Sequence, residues 1–456
     1  MKNFQNLLVL SLCLVFLNLN AKQEGFSSST KEKPPNIIVI FVDDMGYGDL
    51  SCFGHPTIIT PHLDKMAEEG MRFTQFYVPA SVCTPSRAGL LTGRYPIRTG
   101  MVGGIMKRDV LFPDDDFGLM QEEVTIAEIL KQKDYATMAI GKWHLGHLPE
   151  FLPTSQGFDI YYGIPYSNDM DYQRSKDGQS GIFNVPLMEN ENIIERPVDQ
   201  HTITKRYTEK SLEFISNNKN NAFFLYLAHS MPHIPLFASD DFQGNSKRGL
   251  YGDVVEELDW STGQIIKKLK ELNLDKNTIV IFTSDNGPWL SKKERGGSSG
   301  LLKDGKGTTW EGGMRVPMIA WWPKTIPGNL VNENLTSTLD FLPTFTNLSG
   351  SKLPNTELDG MDITKILKGE ASAYQRSFIY YRRNQVYAVR HGKWKAHFIT
   401  QTNYPAGPKN FHDPPLLYDL EADPSEKYDI SENHPEVLEK IKTIKAEHEA
   451  SVGNEN

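Results

Sequence analysis

Five near-continuous apolar runs punctuate the chain: Asn36–Asp44 (NIIVIFVDD), Tyr135–His144, Ala222–Ser230, Asn277–Gly287 and Val316–Trp322. They are short, rich in β-branched and aromatic residues, and show little polar alternation, which predicts strands buried on both faces. Between them, Val124–Lys133, Lys205–Ile215 and Val254–Leu272 repeat apolar residues at helical spacing. Strand and helix in alternation predict an α/β fold, a large, mostly parallel mixed sheet sandwiched by helices. After about Ala371 the pattern changes. Arg376–Ile399 reads as consecutive strands with tight turns and Pro435–Ala450 as a closing helix, together a smaller α+β domain over 371–456 beside a main domain over 36–370. Asn168 to about Pro197 is polar and without period, and reads as loop.

The N-terminus carries a lysine, an apolar run from Leu7 to Leu19 and a small residue at Ala21. That is the pattern of a secretory signal peptide over 1–21, followed by a linker over 22–35; the run is too short to span a bilayer comfortably. The expected product is exported, to a periplasm or the medium, without a stable membrane span. At 456 residues, 39% hydrophobic, with a net charge of −9, the chain is long enough for a large core, and its mild acidity argues against nucleic acid as a partner. Once Cys13 leaves with the signal, only Cys52 and Cys83 remain, and for an exported chain a disulfide between them is the plainest reading.

The strand ends carry the chemistry. The first run ends in Asp43 and Asp44, the second in Lys142 and His144, the third runs into His229 and His233, and the fourth into Asp285 and Asn286. Each alone is an ordinary turn or cap. Open α/β sheets, however, bind ligands outside the carboxyl ends of their strands, so four runs ending this way point to one site. Three carboxylates and an amide oxygen are hard donors, suited to Ca²⁺ or Mg²⁺ rather than a structural zinc.

The stretch Ser81–Pro96, SVCTPSRAGLLTGRYP, holds one of the two remaining cysteines. Thr84 and Pro85 predict a helix start, whose positive end is an anion site, and Arg87 lies one turn on. A thiol at that end is expected to be acidified.

Cys-Thr-Pro-Ser-Arg followed by AGLLTGRYP resembles the signature of the type I sulfatases. DDMGYGDLSCFGHP, GKWHLG, GIPYSND, SDNGP, GKGTTWEGGMRVP and YDLEADPSE extend the likeness over roughly Asn36 to Ile430, nearest in pattern to the branch with arylsulfatase A and N-acetylgalactosamine-6-sulfatase. The resemblance implies an alkaline-phosphatase-like fold and a maturation enzyme that oxidises Cys83 to Cα-formylglycine (3-oxoalanine), which demotes the disulfide reading. It further implies that Asp43, Asp44, Asp285, Asn286 and residue 83 bind the metal. One hydroxyl of the hydrated aldehyde then attacks a sulfate ester to leave sulfate on residue 83; His233, ranked above His229, and Lys306 serve the leaving oxygen. His144 takes the proton whose loss expels sulfate, Lys142 and Arg87 hold the residue-83 oxygens, and Ser167 lies near the sulfate. A sulfated sugar or polysaccharide is the implied substrate, for which Arg382, Arg383, His391 and His412 are candidate contacts. The rivals are a phosphonate monoester or phosphodiester hydrolase with the same nucleophile, and a silent sulfated-glycan-binding protein.

Overall fold

The computed structural model describes residues 33–104, 108–174, 180–182, 184–370, 375–402, 404 and 407–453, with 171–174 and 180–182 as backbone only. The signal-peptide reading and the boundary at 371 fall outside them. Among the described residues no helix is long and apolar enough to cross a membrane.

The apolar runs do become strands. In chain order the large sheet contains β1 (Asn36–Val42), β2 (Met71–Phe73), β3 (Ala136–Lys142), β4 (Ile160–Ile164), β5 (Leu187–Glu189), β6 (Asn192–Glu195), β7 (Phe223–Ala228), β8 (Thr278–Ser284), β9 (Met318–Trp321) and β10 (Leu330–Asn332). Their spatial order is β10-β2-β9-β8-β1-β7-β3-β4-β5-β6. The central strands β8, β1, β7, β3 and β4 are all parallel to their neighbours within that group. The run 316–322 gives the buried strand β9, which pairs antiparallel with β8 and makes the sheet mixed. The stretch 168–197, expected as loop, supplies β5 and β6 at the sheet edge, antiparallel to β4 and to each other. Strands of three and four residues are too short to display a period.

Burial on both faces follows from the sequence of β1. Ile37, Val39 and Phe41 join one hydrophobic core and Ile38, Ile40 and Val42 the other. The first core takes in helices α2 (Cys83–Thr92), α3 (Ile126–Lys131) and α6 (Phe341–Ser349); the second takes in α1 (Pro61–Glu69), α4 (Ile203–Asn217) and α5 (Leu250–Glu271). Helix α3 starts in a capping box, with Thr125 accepting from the Glu128 N–H and Glu128 accepting from the Thr125 N–H.

The C-terminal strands β11 (Ser377–Arg382), β12 (Gln385–His391), β13 (Trp394–Thr400) and β14 (Asn410–Asp419) form an antiparallel four-stranded sheet backed by α7 (Pro435–Gly453). Phe378, Tyr380, Val389 and Ala396 from this sheet belong to the same core as Phe41. The two sheets are therefore packed on continuous apolar material.

Candidate active site

The carboxyl ends of all five central parallel strands meet around Cys83. β1 runs into Asp43 and Asp44, β3 ends in Lys142 with His144 beyond, β4 leads to Ser167, β7 to His233, and β8 to Asp285 and Asn286. Every one of these side chains is buried, as are Arg87 and Lys306. Asp44 and His144 take left-handed backbone, with φ of 65° and 60°, which turns the chain sharply off each strand.

Cys83 is the first residue of α2, and extended Val82, with φ −144° and ψ 159°, is its N-cap. Thr84 is therefore not the cap expected from sequence, because the helix begins before it. Its hydroxyl donates instead to the His144 carbonyl at 3.1 Å and accepts from the Leu111 N–H at 3.1 Å. The Leu111 carbonyl accepts from Nε2 of His144 at 2.8 Å, which leaves Nδ1 as the unprotonated, unpartnered ring nitrogen. Burial and then Lys142 hold His144 well below the ordinary histidine range, so the ring is neutral with a lone pair available.

Three carboxylates and three cations interlock here. Lys142 Nζ donates to Asp43 Oδ2 at 2.6 Å and to Ser167 Oγ at 3.1 Å. Lys306 Nζ lies 2.7 Å from Asp44 Oδ1 and 2.8 Å from Oδ2. Arg87 donates to Asp285 Oδ2 at 2.8 Å and to the Lys142 carbonyl at 3.0 Å, and lies 3.6 Å from Asp43 Oδ1. The thiol of Cys83 donates to Asp43 Oδ1 at 3.3 Å, and Lys306 Nζ is 3.6 Å from Sγ. Arg87, expected to hold the residue-83 oxygens, lies here between Asp285 and Asp43.

The thiol is not acidified. Burial, with Asp285 and Asp43 beside it, pushes it well above the ordinary cysteine value, and Lys142 and Lys306 offset only part of this. A helix N-terminus contributes up to ~2 kcal/mol in favourable geometry, too little against desolvation and two carboxylates. Both Cys52 and Cys83 are free, so the disulfide reading fails.

Asp43, Asp44, Cys83 and His233 bring one potential ligand atom each within 4.8 Å of one another. Asn286 donates to Asp44 Oδ1 at 2.7 Å and leaves its own Oδ1 buried without a partner. Two carboxylates and an orphaned amide oxygen fit a hard divalent cation. Asp285, also an expected ligand, accepts from the Asp44 N–H at 3.1 Å and from Arg87 at 2.8 Å. His233 joins the group through Nε2, 3.5 Å from Asp44 Oδ2, while its Nδ1 hydrogen bonds with the Ile234 carbonyl at 2.5 Å. Burial and then Lys306 lower its pKa. His229 is elsewhere, its Nε2 3.4 Å from Ser261 of α5, held to about 3 by burial.

A match to the sulfatase family model extends over residues 35–351, and one to the C-terminal region of aryl-sulfatase over 373–456. The chain belongs to the sulfatase family. This sulfatase is 42% identical to arylsulfatase A of Homo sapiens over 92% of its own length and 89% of the relative's. It is 37% identical to N-acetylgalactosamine-6-sulfatase of Mus musculus, over 94% and 88%. Among solved structures it resembles Ps i-CgsB in complex with k-i-k-neocarrahexaose, with a TM-score of 0.78 and 32% identity over 93% and 94% of the two chains. It is accordingly a sulfuric ester hydrolase.

Sequence reasoning missed the brace on His144, the aromatic wall and Tyr404. Trp289 stands three residues past Asn286, its ring 5.6 Å from His233 and 4.7 Å from Lys306 Nζ. Reading SDNGPW to its end would have found it. Tyr404 packs 5.4 Å from Trp289 and comes from the β13–β14 connection, where no local pattern marks it. Of the C-terminal candidates, Arg382 and Arg383 reach the rim, beside Ser81 and Val82. His391 and His412 do not; they bond Ser377 and Thr400 within their own sheet, at 3.0 and 2.8 Å.

Proposed function

We propose that this protein is an exported hydrolase of sulfate monoesters on a sulfated sugar or polysaccharide, with its chemistry in 36–370 and residue 83, converted to formylglycine, as nucleophile. The observation that carries this is the convergence of Asp43, Lys306 and, through Asp43, Lys142 on the one side-chain atom of Cys83. Once formed, the aldehyde would add water to carry two hydroxyls on one carbon, a better-placed nucleophile than a neutral buried thiol.

The chain's own groups then divide the work. Asp43, Asp44 and Oδ1 of Asn286, with Asp285 behind them, would hold Ca²⁺ or Mg²⁺, which supplies positive charge for the ester oxygens when bound. Without it, Asp43, Asp44 and Asp285 are already matched by Arg87, Lys142 and Lys306. A divalent cation therefore leaves excess positive charge, which an anionic ester satisfies. Lys142 and Ser167 orient the sulfate from the β3–β4 side. Lys306 and His233, against Trp289, serve the leaving oxygen, and His144 accepts the proton through Nδ1. That role needs a neutral ring whose other nitrogen is tied, which is the state of His144.

The oligosaccharide in the Ps i-CgsB complex and the sugar in N-acetylgalactosamine-6-sulfatase support a sugar substrate. Turnover of 4-nitrophenyl sulfate against 4-nitrophenyl phosphate tests the reaction. The sulfate is expected to be preferred; preference for the phosphate would move the assignment to phosphoryl esters.

A further inference from the structure

An open cleft of about 620 Å³ lies where the C-terminal sheet meets the rim of the large one, lined among others by Arg382, Arg383, Lys409 and Asp109. That volume is within the roughly 300–1,000 Å³ of small-ligand sites. Its electrostatics oppose those of the whole chain, which carries −9. Arg383 Nε donates to Asp109 Oδ1 at 2.5 Å, and Arg382 stands 3.8 Å from Oδ2 of the same carboxylate and donates to Gln401 Oε1 at 2.7 Å. Lys409 bonds the neutral Gln385 at 2.9 Å. Two guanidiniums thus share one carboxylate, Lys409 is bonded to a neutral amide, and Arg108, also in the lining, pairs with Asp114; the Arg383 side chain is 36% exposed.

The cleft adjoins a second cavity beside the catalytic rim. Arg382 and Arg383 also line a smaller cavity with Ser81, Val82, Pro85 and Gly307, which flank Cys83 and Lys306 in sequence. Backbone bonds tie the two edges together: Tyr381 pairs with Ala80 in a parallel bridge, and Gly307 N–H donates to the Ser81 carbonyl at 2.8 Å. Arg383 adopts a left-handed backbone, φ 54°, at the β11–β12 turn.

From this placement we infer that the Arg382–Arg383–Lys409 cleft is a second anion subsite, which takes a sulfate or carboxylate on a sugar adjoining the one whose sulfate enters the residue-83 site. Guanidinium pairs suit both groups, because their planar donors match two oxygens at once. The substrate is therefore a polyanionic saccharide rather than an isolated sulfated monosaccharide. This rests on the proposed sulfatase reading only for which group enters the catalytic pocket; the subsite itself is a binding claim.

The test is calorimetric titration of the full chain carrying Cys83→Ala with size-defined dextran sulfate and oligogalacturonate, neutral dextran serving as blank. No turnover is needed, so failure here is separate from failure of the catalytic reading. Arg382→Gln/Arg383→Gln is expected to weaken binding of the anionic probe at least tenfold, and Lys409→Gln several-fold. Lys409→Gln covers the case in which the double variant does not fold. Lys393→Gln/Lys440→Gln, in a separate basic cleft beside α7, is expected to leave binding unchanged. Retention of oligogalacturonate binding would show that a carboxylate suffices; binding of dextran sulfate alone would assign the subsite to sulfate. Equal affinity in parent and cleft variants, equal weakening in the Lys393/Lys440 control, or no anionic probe bound above the blank would overturn the proposal.

Discussion

Two buried ionic clusters among the described residues are built for opposite ends. The one around Cys83 gathers Asp43, Asp44, Asp285, Arg87, Lys142 and Lys306 at the ends of parallel strands. The other joins the two sheets. There Glu311 accepts from Tyr77 and Lys395 at 2.5 and 2.9 Å, and Glu426 accepts from Lys395 at 3.0 Å, His397 at 2.6 Å and the Glu311 N–H at 2.7 Å. Trp310 covers His397 with ring centroids 4.3 Å apart. Burial opposes ionisation of Glu311, but Lys395, Arg315 and Arg390 overcome it and hold its carboxyl below the ordinary range. In the Cys83 cluster burial and the neighbouring Asp43 push Asp285 up, despite Arg87. The joining cluster thus gains from being charged. The Cys83 cluster divides its carboxylates: Lys142, His233 and Arg87 overcome burial to hold Asp43 well below the ordinary range, while Asp285 is raised. Its unpartnered buried atoms, His144 Nδ1 and Asn286 Oδ1, face the site, whereas those of the joining cluster, His397 Nδ1 and Trp310 Nε1, lie between the sheets.

This contrast can be broken in several places. The largest effect is expected from Cys83→Ala, which should lower kcat on a sulfate ester by roughly four to six orders of magnitude with little change in melting temperature; residual turnover close to wild type would remove residue 83 as nucleophile. His144→Ala should cost about 10²–10⁴-fold in kcat, again with the fold intact by circular dichroism.

The opposite pattern is expected at the joining cluster. Glu311→Gln leaves buried Lys395 short of a partner and should cost about 3–5 kcal/mol of stability, measured by denaturant unfolding. Asp285→Asn should cost less than half as much, while still lowering kcat. The pH dependence has a definite sign. Because the Glu311 carboxyl is depressed in the folded state, its contribution is complete above the ordinary glutamate value of 4.5 and is lost as pH falls below it. The stability gap between wild type and Glu311→Gln should therefore narrow on acidification; a gap that widens would reverse the assignment. The smallest effect is expected from Thr84→Val, which loosens the support of His144 and should cost about 1 kcal/mol and a modest fraction of kcat, with the pH profile of kcat shifted. A merely structural Thr84 would leave that profile in place.

The two clusters were also unequally visible in sequence. Asp43, Asp44, Lys142, His144, Asp285 and Asn286 stand where apolar runs stop, so strand periodicity alone places them on one rim. The third run leads to His229 and His233 in the same way, and the family likeness chooses His233 and adds Lys306 and Ser167. The joining cluster is invisible to such reading, because Glu311, Lys395 and Glu426 come from separate elements and meet only when the sheets pack. The His144 brace is hidden for another reason: Leu111 contributes only backbone atoms, which no side-chain pattern reports. The Cys83 thiol is raised rather than acidified because the helix terminus is local and legible, whereas the burial and carboxylates that outweigh it are tertiary. Short edge strands β5 and β6 escaped for want of length, and the fourth C-terminal strand, β14, because Pro414 and Pro415 interrupt its pattern.

The central claim is that residue 83 is not a cysteine in the working protein. Mass spectrometry of the peptide spanning Ser81–Arg94, from protein made in its native host, tests this most directly. The expected result is a peptide in which the –CH₂SH side chain is replaced by –CHO, trapped as its hydrazone by a hydrazide reagent. Unmodified cysteine throughout, in a preparation that turns over sulfate esters, would contradict the account.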